Sequence, residues 1–189
     1  MIADPPFESY EGRLLIAMPD MPDPRFARSV ILLCAHSPAG AMGLALSDPL
    51  ESVGLHGVLR EFDITTDQVD DARVLRGGPV EPGRGSVLHG LDWSSEETIG
   101  LTASLALTAS IEILQAIGKG EGPRRHELFL GYAGWVGGQI EAELAAPGWL
   151  LGSSDPALLL DLAPERRWSA ALLAEGVDPA MLAAMSGHA

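Results

Sequence analysis

FLGYAGWVGGQIEAEL, Phe129 to Leu144, sets an aromatic pair and four glycines just before two glutamates. The lead-in HELFLGYAG has strand character, whereas Gly138 to Ala145 reads as a short helix whose Ile140 and Leu144 lie one turn apart. Between them the spacing predicts a strand-to-helix corner, held by Tyr132 and Trp135 and freed by Gly137–Gly138. Glu141 and Glu143, two apart on a helix, point about 200 degrees from each other, so they do not form a general acid/base pair. An acid at Glu141 has a structural reason, because it sits near the positive end of the helix.

Outward from this corner the same alternation recurs irregularly. RLLIA (Arg13–Ala17) and SVILLCA (Ser29–Ala35) are short apolar runs bounded by turn formers, as buried strands are. AMGLALS, from Ala41, returns across the Ser37–Gly40 turn as a hairpin partner. ARVLRGGPV and GSVLHGL read as two further strands joined by a Gly-Pro-rich turn. A helix is expected over Ser52–Phe62 and a clearer one over Thr108–Ile117, with Leu107, Ile111, Leu114 and Ile117 on one face and Gly118 as its stop. Pro164 and Gly176 bracket another helix, and Asp178–Pro179 opens a last one through Met185. Several strand pairs are separated only by turns. The pattern is therefore an α+β fold with a mixed and largely antiparallel β-sheet packed by helices, not a doubly wound one. Residues 1–11 read as a loose N-terminal leader and 12–189 as a single compact domain.

Composition sets limits on function. Twenty-six acids against twelve Lys and Arg give a formal charge of −14, with Lys119 the only lysine. Such a chain repels phosphate polymers and anionic membranes as a whole, which argues against direct nucleic acid binding. The basic neighbours Arg124–Arg125 and Arg166–Arg167 read as solvated surface charge. No apolar run approaches the ~20 residues of a membrane span. The acidic, proline-bearing start lacks the features of a signal peptide, so the expected compartment is cytoplasmic. The lone Cys34 agrees with a reducing environment.

Motifs for chemistry fail on inspection. GRGSVL, from Gly83, has Leu88 where a dinucleotide loop needs its third glycine, and GKGEG, from Gly118, follows a helix instead of opening one. Cys34 and His36 share a strand face but stand ~6.6 Å apart along the chain, and Cys34 reads as core. The five histidines show no ligand spacing, so no metal and no cofactor is expected. Ser86 lacks the glycines of a nucleophile elbow.

Four ordered blocks resemble the YqgE/AlgH family of bacterial proteins. They are GRLLIAMPDMPDPRFARSVILLCAHSPAGAMGLALSDPL, RGGPVEPGRGSVLHG, FLGYAGWVGGQIEAELAAPGWL and RRWSAALLAEGVDPAMLAAMSGHA. Ser47 stands where the family pattern has Asn, and Val136–Gly137 where it has a Gly-Pro pair. The resemblance implies a compact single α+β domain with coiled, bifurcated sheets. It implies no reaction, no catalytic residues and no cofactor. The family's name reflects a proposed role in regulating alginate synthesis genes, that of a transcriptional regulator.

The leading expectation is a non-catalytic regulatory or interaction protein, monomer or weak homo-oligomer, acting on a protein or small-molecule partner. The alternative is a small-molecule binder or enzyme with its site where His36–Gly43, Arg76–Val80 and Tyr132–Gln139 converge. There His36, Arg76, Gly77, Gly78, Trp135 and Gln139 are the candidate ligand-binding residues: glycines for close backbone approach, Arg76 for an anion, Trp135 for a flat wall.

Overall fold

A computed structural model describes residues 7–180. Its order is β1 (Arg13–Ala17), β2 (Val30–Ser37), β3 (Gly40–Ala45), β4 (Pro49–Gly54), α1 (Leu55–Glu61), β5 (Arg73–Arg76), β6 (Val80–His89), β7 (Thr98–Gly100), β8 (Ala106–Thr108), α2 (Ile111–Gly118), β9 (His126–Val136), α3 (Gln139–Ala145), β10 (Trp149–Ser153), α4 (Pro156–Leu160) and α5 (Pro164–Ala174). A single 3-10 turn, Pro24–Phe26, precedes β2.

The sheet runs β10-β1-β2-β3-β9-β6-β8-β7, and β5, flanked by β4, also joins β9. Every pairing is antiparallel except β5 with β9. β9 is the fork: Leu128–Leu130 pairs with both β5 and β6, and Ala133–Val136 pairs with β3. Gly131, at φ 72°, is the kink between the two stretches. The expected bifurcated, mixed sheet is thus present, and its branch point is the opening sequence itself.

Alternation along β1 and β2 buries both faces. Leu14, Ile16 and Leu32 face α4 and α5, while Leu15, Ile31 and Leu33 face Ile140 of α3. A third cluster packs α1 and α2 against Val74, Val87 and Leu128. One continuous sheet carries all three clusters, so the described residues make one α+β domain.

Several boundaries differ from expectation. Ser52–Phe62 is not one helix: β4 ends at Gly54 and α1 starts at Leu55, where Asp71 accepts from His56 N–H at 2.8 Å. That cap comes from fifteen residues downstream, beyond any local signal. Thr108 and Leu107 belong to β8 rather than to the following helix, because they pair with Val87 and Leu88. Glu81–Arg84, expected as the turn between two strands, belongs instead to the bulged start of β6, whose register against Tyr132–Leu130 skips between Val80 and Gly85. β7, β10 and α4 have no counterpart in the sequence reading. Of the expected leader, 1–6 lie outside the described residues, whereas Ser9 and Tyr10 bond to His36. The expected last helix extends beyond the described residues; its cap Asp178 accepts from Ala180 N–H at 2.9 Å.

Thr108 closes a buried polar chain whose directions are fixed by the groups at its ends. Ser95 N–H donates to Thr98 Oγ1 (2.9 Å), leaving the Thr98 hydroxyl to donate to Thr108 (2.8 Å). Thr108 donates to His89 Nε2 (2.9 Å), and His89 Nδ1–H donates to the Gly90 carbonyl (2.7 Å). Both ring nitrogens of His89 are satisfied in the neutral form, and burial holds its pKa below the ordinary 6.5. The unfolded chain therefore takes up this proton first as pH falls. Stability from His89 is fully present above pH 6.5 and declines as pH drops through the window below it. Urea midpoints at pH 7.5 and at successively lower pH check this: the fall should be smaller in His89→Gln than in the parent.

Candidate functional site

The three glycine-rich segments do meet on β9, but they serve two different structural purposes. β5 and β6 flank the same residues of β9, so the connection Gly77–Pro79 must cross β9 from one edge to the other. It crosses at near-contact distance. A Cβ on Gly77 would lie 2.2 Å from the Gly131 carbonyl oxygen, and one on Gly78 would lie 2.1 Å from the Tyr132 carbonyl carbon. Gly77 N–H donates to Leu130 O (2.9 Å), and its carbonyl accepts from Ala45 N–H (2.8 Å). The close backbone approach expected of these glycines is to the chain's own β9.

His36, Trp135 and Gln139 gather instead around α3. Tyr10 N–H donates to His36 Nδ1 (2.9 Å), which places the ring proton on Nε2 for Glu141 Oε1 (3.1 Å). Tyr10 stacks on the imidazole at 5.0 Å and 9°, and His36 is only 7% exposed. Gln139 Oε1 accepts from Val136 N–H (3.1 Å), while its Nε2 and the Trp135 indole N–H donate to the two Glu143 oxygens (2.8 and 3.3 Å). Trp135 thus braces the strand-to-helix corner. Tyr132 does not: it packs on the opposite core and lies under Arg84. The two glutamates point to separate partners, as helical geometry required.

Arg76 and Gly78 open onto a groove of about 1140 Å³, between the Pro24–Phe26 turn, β4, the β5–β6 crossing and α5. Arg25, Arg28 and Trp168 also line it, as do Asp48 and Glu165. Asp23 holds Arg25 through Nε and Nη2, the latter at 2.7 Å, and the guanidinium beside Asp23 keeps that carboxyl below its ordinary pKa. Asp48 faces Arg76 Nε at 3.2 Å, and Arg73 pairs with Glu165. Arg28 has no carboxylate partner among the described residues; its guanidinium lies 5.4 Å from the Trp168 ring centre. The Trp168 indole N–H is engaged by the Ala17 carbonyl (2.7 Å).

Arg25, Arg28 and Trp168 were not among the sequence candidates. The signal for the two arginines is PRFAR, which puts two of only twelve basic residues around an aromatic. Of the basic neighbours, Arg166 is exposed as expected, but Arg167 is a core residue. Arg167 is 2% exposed and gives both Nη groups to Glu127 (2.6 and 2.9 Å) and Nη1 also to the Leu46 carbonyl (2.8 Å). Helical rotation aligns it with Ala171, one turn on, and the carboxylate that balances it is forty residues away.

Cys34 is buried, and desolvation pushes its thiol up to about 12, so it stays protonated as core packing requires. Among the described residues no three His, Cys, Asp or Glu side chains gather to hold a metal ion, and no helix is long and apolar enough to cross a membrane.

This architecture has relatives. The chain is similar to the AlgH protein of Pseudomonas aeruginosa, whose solution structure is 41% identical and matches with a TM-score of 0.76 over 100% of both chains. A crystal structure from Corynebacterium diphtheriae, 24% identical, shares the fold over 83% of this chain and 85% of its own, with a TM-score of 0.64. A UPF0301 protein of Rhizorhabdus wittichii is 42% identical over 96% of this chain and 97% of the relative. Another from Afipia carboxidovorans is 46% identical over 95% and 90%. A family model described as AlgH-like, DUF179, matches residues 14–180. With that model spanning the described sheet and both relatives aligned along nearly their whole length, the chain belongs to the AlgH-like family.

Proposed function

We propose that the protein is a non-catalytic regulatory or interaction protein of the cytoplasm that acts through a small-molecule ligand bound in the arginine-bearing groove, not by reading DNA. The observation that carries this reading is the groove itself. In a chain of charge −14, three of the twelve basic residues line one concavity with an indole and a phenyl ring. Its volume of about 1140 Å³ is ample for a metabolite-sized body, and oriented arginines supply directed hydrogen bonds. The net charge of −14 opposes a duplex, because a chain this acidic repels a phosphate polymer as a whole.

Native mass spectrometry of protein purified gently from its own cells tests the reading. A small molecule should remain bound, and Ser169→Trp, which fills the groove from α5, should release it. Retention of the molecule by Ser169→Trp would place the site elsewhere. Conversion of the bound molecule on incubation would replace the binding reading with an enzymatic one. A tight duplex complex that weakens steeply with salt would overturn the claim about DNA.

A further inference from the structure

Resting on the groove reading above, we infer that the ligand is an amphipathic monoanion, a small carboxylic acid with a planar apolar body, anchored by Arg28. The charge pattern selects this class. Arg25 is balanced by Asp23, Arg76 by Asp48, and Glu165 by Arg73. Arg28 alone lines the groove with no carboxylate against it among the described residues. One uncompensated guanidinium calls for one negative charge, and its planar fork matches a carboxylate with two parallel bonds. A triphosphate or other dense polyanion would bring its excess charge against Asp48 and Glu165 on the same walls.

The rest of the lining suits the apolar body. Because the Trp168 N–H is held by Ala17, the indole offers the groove its ring rather than a donor. Phe26, Leu50, Pro79 and Leu130 add apolar surface, and Phe26 is itself fixed against Trp149 at 5.6 Å. The Arg28 guanidinium carbon lies 5.4 Å from the Trp168 ring centre, so an acid paired with Arg28 would bring its apolar body beside the indole.

The backbone adds an independent pointer. Arg28 has φ 58°, one of only three non-glycine residues with positive φ among those described. Ser29 N–H to Phe26 O (3.0 Å) and Ser47 Oγ to the Arg28 carbonyl (3.4 Å) hold this turn. Glycine adopts such a conformation freely, yet an arginine occupies it, as happens where a side chain is needed in a set position.

NMR titration of the full chain tests the inference, with 1-naphthoate, its neutral amide 1-naphthamide, inorganic phosphate and ATP as probes. Naphthoate should shift groove resonances, including the Trp168 indole, and bind roughly 10- to 100-fold more tightly than the amide, the range expected for a hydrogen bond to a charged group. Arg28→Gln should lose that preference. Arg28→Gly should lose it as well while its thermal midpoint holds or rises, which separates lost binding from lost folding. Equal binding of acid and amide, preference for ATP or phosphate, or full affinity in Arg28→Gln would overturn the monoanion class. If none of the probes shifts the groove but Ser169→Trp still releases a native ligand, only this class fails; if neither is seen, the groove reading fails with it.

Discussion

Arg167→Met is expected to cost about 3–5 kcal/mol of folding stability, the range for removing one partner of a buried ion pair. The loss comes less from the pair than from what remains. Glu127, only 14% exposed at its side chain, would keep its charge with no guanidinium beside it, and the Leu46 and Leu162 carbonyls would lose a donor. The double variant Arg167→Met/Glu127→Leu should recover a large part of the loss, because an apolar pair leaves no charge stranded. The pH dependence carries its own sign. Burial pushes the Glu127 pKa above its ordinary 4.5, with Arg167 opposing the rise. The native state then holds this proton more tightly than the unfolded chain, so stability falls as pH rises through the window above 4.5. Removing Arg167 takes away the opposing influence and raises the pKa further. The penalty of Arg167→Met should therefore shrink as pH falls through that window, and urea titrations of parent, single and double variants at several pH values measure it. A penalty that is constant with pH, or a double variant as unstable as the single, would contradict the account.

Gly77→Ala and Gly78→Ala are each expected to cost about 3 kcal/mol, the upper part of the usual range for overpacking, because both new methyls would meet β9 backbone. Separations of 2.2 and 2.1 Å from backbone atoms cannot be relieved by a side-chain rotation. The crossing or the fork must move instead. Gly83→Ala is the contrast, since nothing lies within 4 Å of the added methyl, and it should change stability by well under 1 kcal/mol. Chemical denaturation of the three variants gives the comparison. Equal losses at all three positions would show that the crossing is not the constraint.

These two predictions also mark where sequence reading reached its limit. Runs such as RLLIA and SVILLCA announce buried strands because every residue after the first is apolar, and they are β1 and β2 as expected. Pro164 and Gly176 bracket α5 because their backbone preferences act locally. β7 and β10 escaped because three and five residues carry little periodicity of their own; partner strands define them. Of the candidate residues, Arg76 and Gly78 line the groove, while His36, Trp135 and Gln139 are engaged around α3. Cys34 and the paired glutamates were legible as structural, since burial and helical rotation are local consequences of the sequence.

By itself the sequence determined the class of fold, the order of most of its elements, the family blocks and the net negative charge, because hydrophobic period, turn chemistry and charge are additive along a chain. Only the tertiary structure decided what the glycines and arginines are for. Gly77 and Gly78 are required by a strand, β9, that begins almost fifty residues later, and Gly131 by the fork in that strand. Arg167 is a core residue because Glu127 lies opposite it, and Arg28 has no carboxylate partner among the described residues because those nearby are committed to other arginines. Pairing between distant residues depends on which backbone edges meet, and that information resides in the assembled sheet.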